Sequence, residues 1–247
     1  MHLPDPTFPP LLTGRPVKAP ATAFACALEA AVQGKTGAGD VFWGRDTARV
    51  DWAIVLEPDV EAKRAQQIMM VCHVAFSDAF GAIAPPEVGV QFRWPGKVLI
   101  NGAQAGDTKI AMGPEGEDGF PAWMVVGLEL HIRRKESRNE PGNAPDQTDL
   151  MEEGCSEISR TQLIESLSRH FLSQVHAWNE EGFRPVHTAW MRLADGAGET
   201  LNINWQGVDN EGQFLTIDDE GNLILKSDSG TISLPFSACF ENQEQEK

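Results

Sequence analysis

The sequence predicts an α+β protein: a mixed β-sheet with helices packed on it, followed by a small C-terminal β-barrel. Three observations predict it. The segment 49–57 is apolar on both faces, with Val50, Trp52, Ile54 and Leu56 on one side and Ala53 and Val55 on the other, which suits a central strand between two layers. Two long stretches carry apolar stripes at helical spacing, Ile68, Cys72, Phe76, Phe80 and then Leu163, Leu167, Phe171, Val175. After Asp195 the pattern changes to short strands separated by turns such as Asp219-Glu220-Gly221.

Residues 1–20 read as an extended, proline-rich lead-in. A helix follows from Ala21 or Thr22 to about Val32, stopped by Gly34. Val41–Trp43 and 49–57 read as strands, and Pro58-Asp59 opens a helix over about 60–81. Strands are predicted near 88–93, 97–101 and 104–112, the last two joined by Asn101-Gly102, the pair a type I′ hairpin turn requires. An acidic, glycine-rich loop then leads to an apolar strand at 123–133. Residues 134–156 read as a long polar loop. Ser159 with Gln162 resembles a capping box and opens a helix to about Trp178, and a second helix covers about 185–193. The expected organisation is a lead-in at 1–20, a main domain at 21–195 and the small barrel at 198–242.

The chain has 247 residues and a formal charge of −16, with 41% hydrophobic and 23% charged residues, so it is neither disordered nor fibrous. So acidic a surface repels phosphate backbones and anionic lipid, which excludes general nucleic-acid and membrane partners. No apolar run approaches the roughly 20 residues of a membrane span, and Met1–Pro6 lacks the features of a signal peptide. The four cysteines, Cys26, Cys72, Cys155 and Cys239, stand outside metal-ligand spacing, as expected of reduced thiols in a cytoplasmic protein.

Several apparent motifs dissolve on inspection. Gly34-Lys35-Thr36 lacks the P-loop glycine five residues earlier, where Glu29 stands, and it follows a helix rather than a strand. The histidines form no zinc-binding pair, so no metal site is expected. Asp218-Asp219-Glu220 falls on a hairpin turn.

One segment stands out: Val90-Gln91-Phe92-Arg93-Trp94-Pro95-Gly96-Lys97-Val98-Leu99-Ile100-Asn101-Gly102-Ala103-Gln104-Ala105-Gly106. It reads as strand, Arg-Trp-Pro corner, strand, hairpin, strand. Cations and an indole at a strand end suit an anionic, planar ligand. The same residues also suit a packing corner with solvated charges, and the residues alone leave both readings open.

This segment resembles the Lys-Trp-Pro-Asn-Asp strand and hairpin of the biotin protein ligases, within the biotin/lipoate ligase family. Other stretches are similar in the same order. Ala21-Thr22-Ala23 stands at the family's Ser-Thr-Asn helix, Val125–His131 at its Gly-x-Gly-x-Asn strand, and Phe214–Leu225 at a hairpin of its SH3-like C-terminal barrel. The resemblance implies a class II aminoacyl-tRNA synthetase/biotin ligase-like fold. It also implies ATP-dependent activation of a small carboxylic acid (biotin, lipoate or a related acid) to an adenylate, and transfer to a lysine of a carrier-protein domain. Mg is implied only where ATP is used.

The residues carried over as catalytic are Arg93, Lys97 and Lys109, for neutralising carboxylate and phosphate charge. Those carried over as ligand-binding are Thr22, Trp43, Arg45, Asp46, Trp94, Gln104, Gly106, Gly127 and His131. The departures are specific. The family's Gly-Arg-Gly-Arg-x-Gly loop has no counterpart, and Trp43-Gly44-Arg45-Asp46-Thr47 joins the two strands directly. Gly96-Lys97 replaces Asn-Asp, Gln104 replaces the ligand-binding lysine, Glu129 replaces the second glycine and His131 replaces the asparagine. Lys109 substitutes for the lysine only through a shift in hairpin register. The alternatives are a catalytically inactive relative acting as a small-molecule-binding or regulatory module, and an acidic scaffold for a basic partner.

Overall fold

The computed structural model describes residues 3–134 and 146–241. The part of the expected long loop at 135–145 lies outside the described residues. Strand β1 (Thr13–Val17) pairs in parallel with β2 (Asp40–Gly44), so the lead-in supplies a sheet strand rather than only an extended approach. Pro16 is tolerated because β1 is an edge strand, where one missing N–H breaks no internal ladder. Between them, α1 (Ala23–Val32) starts at Thr22, whose hydroxyl accepts from the Ala25 N–H at 3.2 Å, and ends before Gly34 at φ +64°.

Strand β3 (Arg49–Leu56) follows, then the expected helix at 60–81 in two pieces, α2 (Ala62–Ala65) and α3 (Ile68–Gly81). At the break, the Gln66 and Gln67 side chains donate to the carbonyls of Glu220 and Asp219 at 2.6 and 2.5 Å. The interruption thus anchors the C-terminal region.

The sheet is completed by β4 (Val90–Arg93), β5 (Lys97–Ile100), β6 (Ala103–Met112) and β7 (Met124–His131), in the order β1-β2-β3-β7-β6-β5-β4. Asn101 and Gly102 both have positive φ, +50° and +87°, as the type I′ turn demands. On one face, α1 packs over β2, β3 and β7 around Ala27, Ala53, Val55 and Val125. On the other lie α3 and α4 (Arg160–Glu181), the latter opened by the Ser159–Gln162 capping box, followed by α5 (Phe183–Leu193).

The expected closed barrel is instead a separate four-stranded antiparallel sheet: β8 (Thr200–Trp205), β9 (Val208–Ile217), β10 (Leu223–Ser227) and β11 (Gly230–Leu234), in the order β11-β10-β9-β8. A short helix, α6 (Ala238–Glu241), ends the described chain. The physical reason for the open sheet is packing. Phe214, Leu225 and Phe236 are fully buried and belong to the same apolar cluster as Phe76, Phe92 and Trp190, so this sheet buries its inner face against the rest of the protein rather than against itself.

That shared core holds a titratable group. His73 is fully buried; its Nδ1 accepts from Trp190 Nε1 at 3.0 Å and its ring stacks on Phe92 at 4.2 Å. Burial lowers its pKa to about 3. Because this value is below the ordinary 6.5, the unfolded chain binds more protons across that window. Stability is therefore full above about pH 6.5 and is lost as pH falls toward 3. The thermal midpoint should fall between pH 6.5 and 5, where most carboxylates stay ionised. His73→Gln keeps an acceptor for Trp190 but does not titrate, so it should flatten the slope by up to about 1.4 kcal/mol per pH unit. Equal slopes in the two proteins would show that His73 is not the group responsible.

Candidate active site

The site is set by the register of the central strands. Asp51, Glu129, Asp107 and Lys97 stand directly opposite one another across β3, β7, β6 and β5, and Ala53, Gly127 and Lys109 form the next row on the same face. That face is the one α1 covers, and α1 stops at β7, leaving the β6–β5 end open. The β5–β6 ladder carries a bulge: Val98 pairs with Gly106 but Leu99 with Gln104, so Ala105 is the extra residue. The bulge turns Gln104 onto the face of Asp107 and Lys109.

Two ion-paired groups occupy this face. Asp51 is 2% exposed; both its oxygens lie 3.0 Å from the Ala23 N–H in the first turn of α1, and Arg49 lies at 3.7 Å. Burial pushes its carboxyl above the usual range, against the pull of that N–H and of the Arg49 and Lys109 charges. Gly44 makes this position available, since a Cβ there would sit 2.8 Å from Asp51 Oδ2. Arg49 also binds Glu129 at 2.9 Å. In the second group, Asp107 receives Lys97 Nζ at 2.5 Å and the Gln104 amide at 3.1 and 3.2 Å. Lys109 has no hydrogen-bond or ion-pair partner among the described residues.

A cavity of about 270 Å³ opens beside Lys97, Asp107, Thr108 and Lys109, where β5 ends at the Pro95-Gly96 corner; Met69, Ile110, Trp205 and Cys239 complete its wall. Gly96 permits the close approach of the corner to β6, because a Cβ would lie 2.5 Å from the Thr108 carbonyl oxygen. Burial pushes the Cys239 thiol up to about 12, so it is protonated and no nucleophile at neutral pH.

The remaining sequence-selected residues lie elsewhere. Trp94, expected to wall the ligand, is 6% exposed and donates from Nε1 to the Gly221 carbonyl at 2.9 Å, with its ring 4.5 Å from that of Trp205. It is a packing corner for the second sheet. Arg93 points to Asp195 at 2.6 Å and ties down the α5–β8 connection, away from the cavity. Arg45 is held by Asp5 through two 2.7 Å contacts, and Asp46 accepts from the Ala48 N–H at 2.9 Å within its own turn. Trp43 is buried in the core beneath the Arg45 and Arg160 guanidinium groups. Thr22 caps α1, and His131 stands half-buried beside Arg49. Gly106 and Gly127 allow close approaches: a Cβ would lie 2.1 Å from the Glu129 carbonyl oxygen in one case and 2.8 Å from the Phe24 ring in the other.

Of the selected residues, then, only Lys97 and Lys109 line the cavity. Sequence reasoning passed over Asp51, Asp107, Thr108 and Trp205. A lone carboxylate inside a strand apolar on both faces was the available signal for Asp51. The Asp-Thr-Lys triplet inside an apolar strand was the signal for β6.

The fold agrees with what the chain resembles. The family profile described as the biotin/lipoate A/B protein ligase family matches residues 8–192. The chain belongs to that family. It is 26% identical over 198 residues to a biotin–[acetyl-CoA-carboxylase] ligase of Paracoccus denitrificans, covering 80% of this chain and 82% of the relative. It is 24% identical over 194 residues to the bifunctional ligase/repressor BirA of Bacillus subtilis, covering 76% of this chain and 57% of BirA. Among solved structures, a biotin protein ligase-like protein of unknown function from Silicibacter sp. TM1040 superposes with a TM-score of 0.84 at 35% identity, over 95% of this chain and 98% of that one. Biotin protein ligase from Aquifex aeolicus, in complex with biotin and ATP, shares the fold at 13% identity and a TM-score of 0.68, over 89% and 94% of the two chains.

Packing rather than ligand contact explains Trp94, and this has a measurable consequence. Trp94→Phe leaves the Gly221 carbonyl unpaired in a buried position and should lower unfolding free energy by about 1–3 kcal/mol in denaturant titration. An unchanged denaturation midpoint would contradict this role.

Proposed function

We propose that the chain binds a small carboxylic acid of the biotin or lipoate type in the β5–β6 cavity, activates it with ATP to the acyl-adenylate and passes the acyl group to a lysine of a carrier-protein domain. The observation that supports this best is Lys109: an exposed ammonium at the cavity wall, opposite Gly127, with no hydrogen bond or ion pair within 4 Å among the described residues, though its charge acts on the nearby Asp51. An unpaired ammonium there suits a carboxylate, through a charge-assisted hydrogen bond. In such a reaction a carboxylate oxygen attacks the α-phosphorus of ATP and pyrophosphate leaves. The carrier amine then attacks the acyl carbon, loses a proton and releases AMP. Charge develops on phosphate and carboxylate oxygens in both steps, and Lys109, with Lys97 behind it, would stabilise that charge.

The donor set does not offer a ready divalent-cation site. Lys97 stands where the family carries an aspartate, Asp107 is bound by Lys97 and Gln104, and no group of three or more His, Cys, Asp or Glu side chains is placed to hold a metal among the described residues.

A second reading, a binding or regulatory module without turnover, has its own support. The α1 N–H that faces the sheet is taken by Asp51, and Glu129 fills a position where the family carries glycine. Both changes place resident carboxylates where a ligand anion would otherwise find donors or room.

Pyrophosphate release separates the two readings. With ATP and biotin, lipoate or octanoate, release that falls strongly in Lys109→Met supports the ligase. Binding by calorimetry without release supports the module. Under either, Lys109→Met should weaken the acid by about 10- to 100-fold, the worth of one charged hydrogen bond, whereas Arg93→Ala should leave it unchanged. Equal binding by wild type and Lys109→Met would refute the site.

A further inference from the structure

The lead-in before β1 crosses the start of α4 and the turn between β2 and β3, and it meets both through polar atoms. Arg45 donates from Nη1 and Nη2 to the two carboxylate oxygens of Asp5 at 2.7 Å each. The Pro4 carbonyl accepts from Thr161 Oγ1 at 2.8 Å and from Arg160 Nη2 at 3.4 Å. Three oxygens of two adjacent residues thus meet four donors gathered from a turn and a helix start. Thr7 adds a clasp, donating its N–H and its hydroxyl to Glu165 Oε1 at 2.8 Å each.

Beneath these contacts lies Trp43, with the guanidinium carbons of Arg45 and Arg160 at 5.0 and 5.1 Å from its ring. Arg160 is 2% exposed and makes no ion pair among the described residues. The charges of Asp5 and Asp46 act on it from beyond ion-pair distance, that of Arg45 opposes them, and Asp46 is held in its own turn by the Ala48 N–H. A guanidinium buried without a paired carboxylate is costly. Trp43 belongs to the apolar cluster of α3 and α4, whereas Phe42 belongs to that of α1, so this cationic cluster lies on the opposite face of the sheet from Asp51 and Lys109.

The lead-in is lightly held over it. Among residues 3–11 only Pro6 is buried, and the Arg45–Asp5 pair is 38% and 50% exposed, so it contributes little. The firm anchor comes later, at Leu12 in the core and at β1. The donors also select what would replace it. A carboxylate has two oxygens and one charge, enough for Arg45 alone. A phosphoryl group presents three acceptor oxygens and about two charges, which suits two guanidinium groups, the Thr161 hydroxyl and the positive end of α4 together.

We propose that residues 3–8 are a displaceable strap over an anion site, and that a phosphoryl group takes the donors of Arg45, Arg160 and Thr161 in place of the Pro4 and Asp5 oxygens. Asp5 is then an internal competitor, and ligand binding is coupled to release of the strap. Because the site is on the other face of the sheet, it stands or falls independently of the proposed acid site.

The test uses the full chain, 15N-labelled, with inorganic phosphate as probe at constant low ionic strength. Phosphate should move the backbone amide signals of Asp5 and Thr7. Asp5→Ala, a change at an exposed position, should tighten phosphate by up to about fivefold, the worth of the lost surface pair. Arg45→Gln should weaken it by about tenfold or more. Acetate at equal concentration should leave both signals still. AMP distinguishes the source: movement with AMP as well as with phosphate assigns an organic phosphate ester, movement with phosphate alone assigns the free ion, and either supports the site.

Three results would overturn the inference. If phosphate leaves the Asp5 and Thr7 signals still in both wild type and Asp5→Ala, there is no anion site under the strap. If phosphate binds equally to wild type, Asp5→Ala and Arg45→Gln, it binds elsewhere and Asp5 competes with nothing. If acetate moves the signals as readily as phosphate, the phosphoryl assignment falls.

Discussion

The hydrogen-bond register of β7 against its two neighbours is the constraint on which the site depends. Successive strand residues face opposite sides, so a slip of one residue would exchange the two faces. Glu129 would enter the apolar layer now filled by Leu128 and Leu130, and those residues would turn onto the row of Asp51, Asp107 and Lys109. Burying a charge without a matched partner is far costlier than any local strain a slip could relieve. The apolar packing of one face therefore places the charged row on the other, and the site is a consequence of the core.

The same constraint explains why glycines sit where they do. Gly44 makes room for the Asp51 carboxylate, Gly106 for the Glu129 carbonyl and Gly127 for the Phe24 ring. In each case the missing side chain lets a neighbour close onto the sheet, and at Gly127 it also clears the ground beside Lys109. Family resemblance alone would assign such glycines to ligand clearance. Here at least two of them serve the protein's own packing, which shows how a binding surface can be filled from within while the strands keep their places.

Much of the fold was legible because it rests on periodicity and on turn chemistry. The two-faced apolar run at 49–57, the Asn101-Gly102 turn and the Ser159–Gln162 box each have one good structural solution. The parallel strand at Thr13–Val17 was not legible, because a proline-containing edge strand has no pattern of its own and is recruited by its neighbour. Nor was the open form of the second sheet, since alternation within a strand says that one face is buried but not what covers it.

The candidate site was less legible than the fold for a different reason. Cations gathered in sequence are not cations gathered in space. Arg93, Arg45 and Lys97 each meet a carboxylate from a distant or cross-strand position, Asp195, Asp5 and Asp107, and those meetings are set by tertiary packing. Lys109 differs because its cross-strand partner is Gly127, which offers neither charge nor bulk. Such a surface pair is worth little to stability. A lysine at the cavity wall without such a pair carries more functional meaning than the cations that the sequence placed side by side.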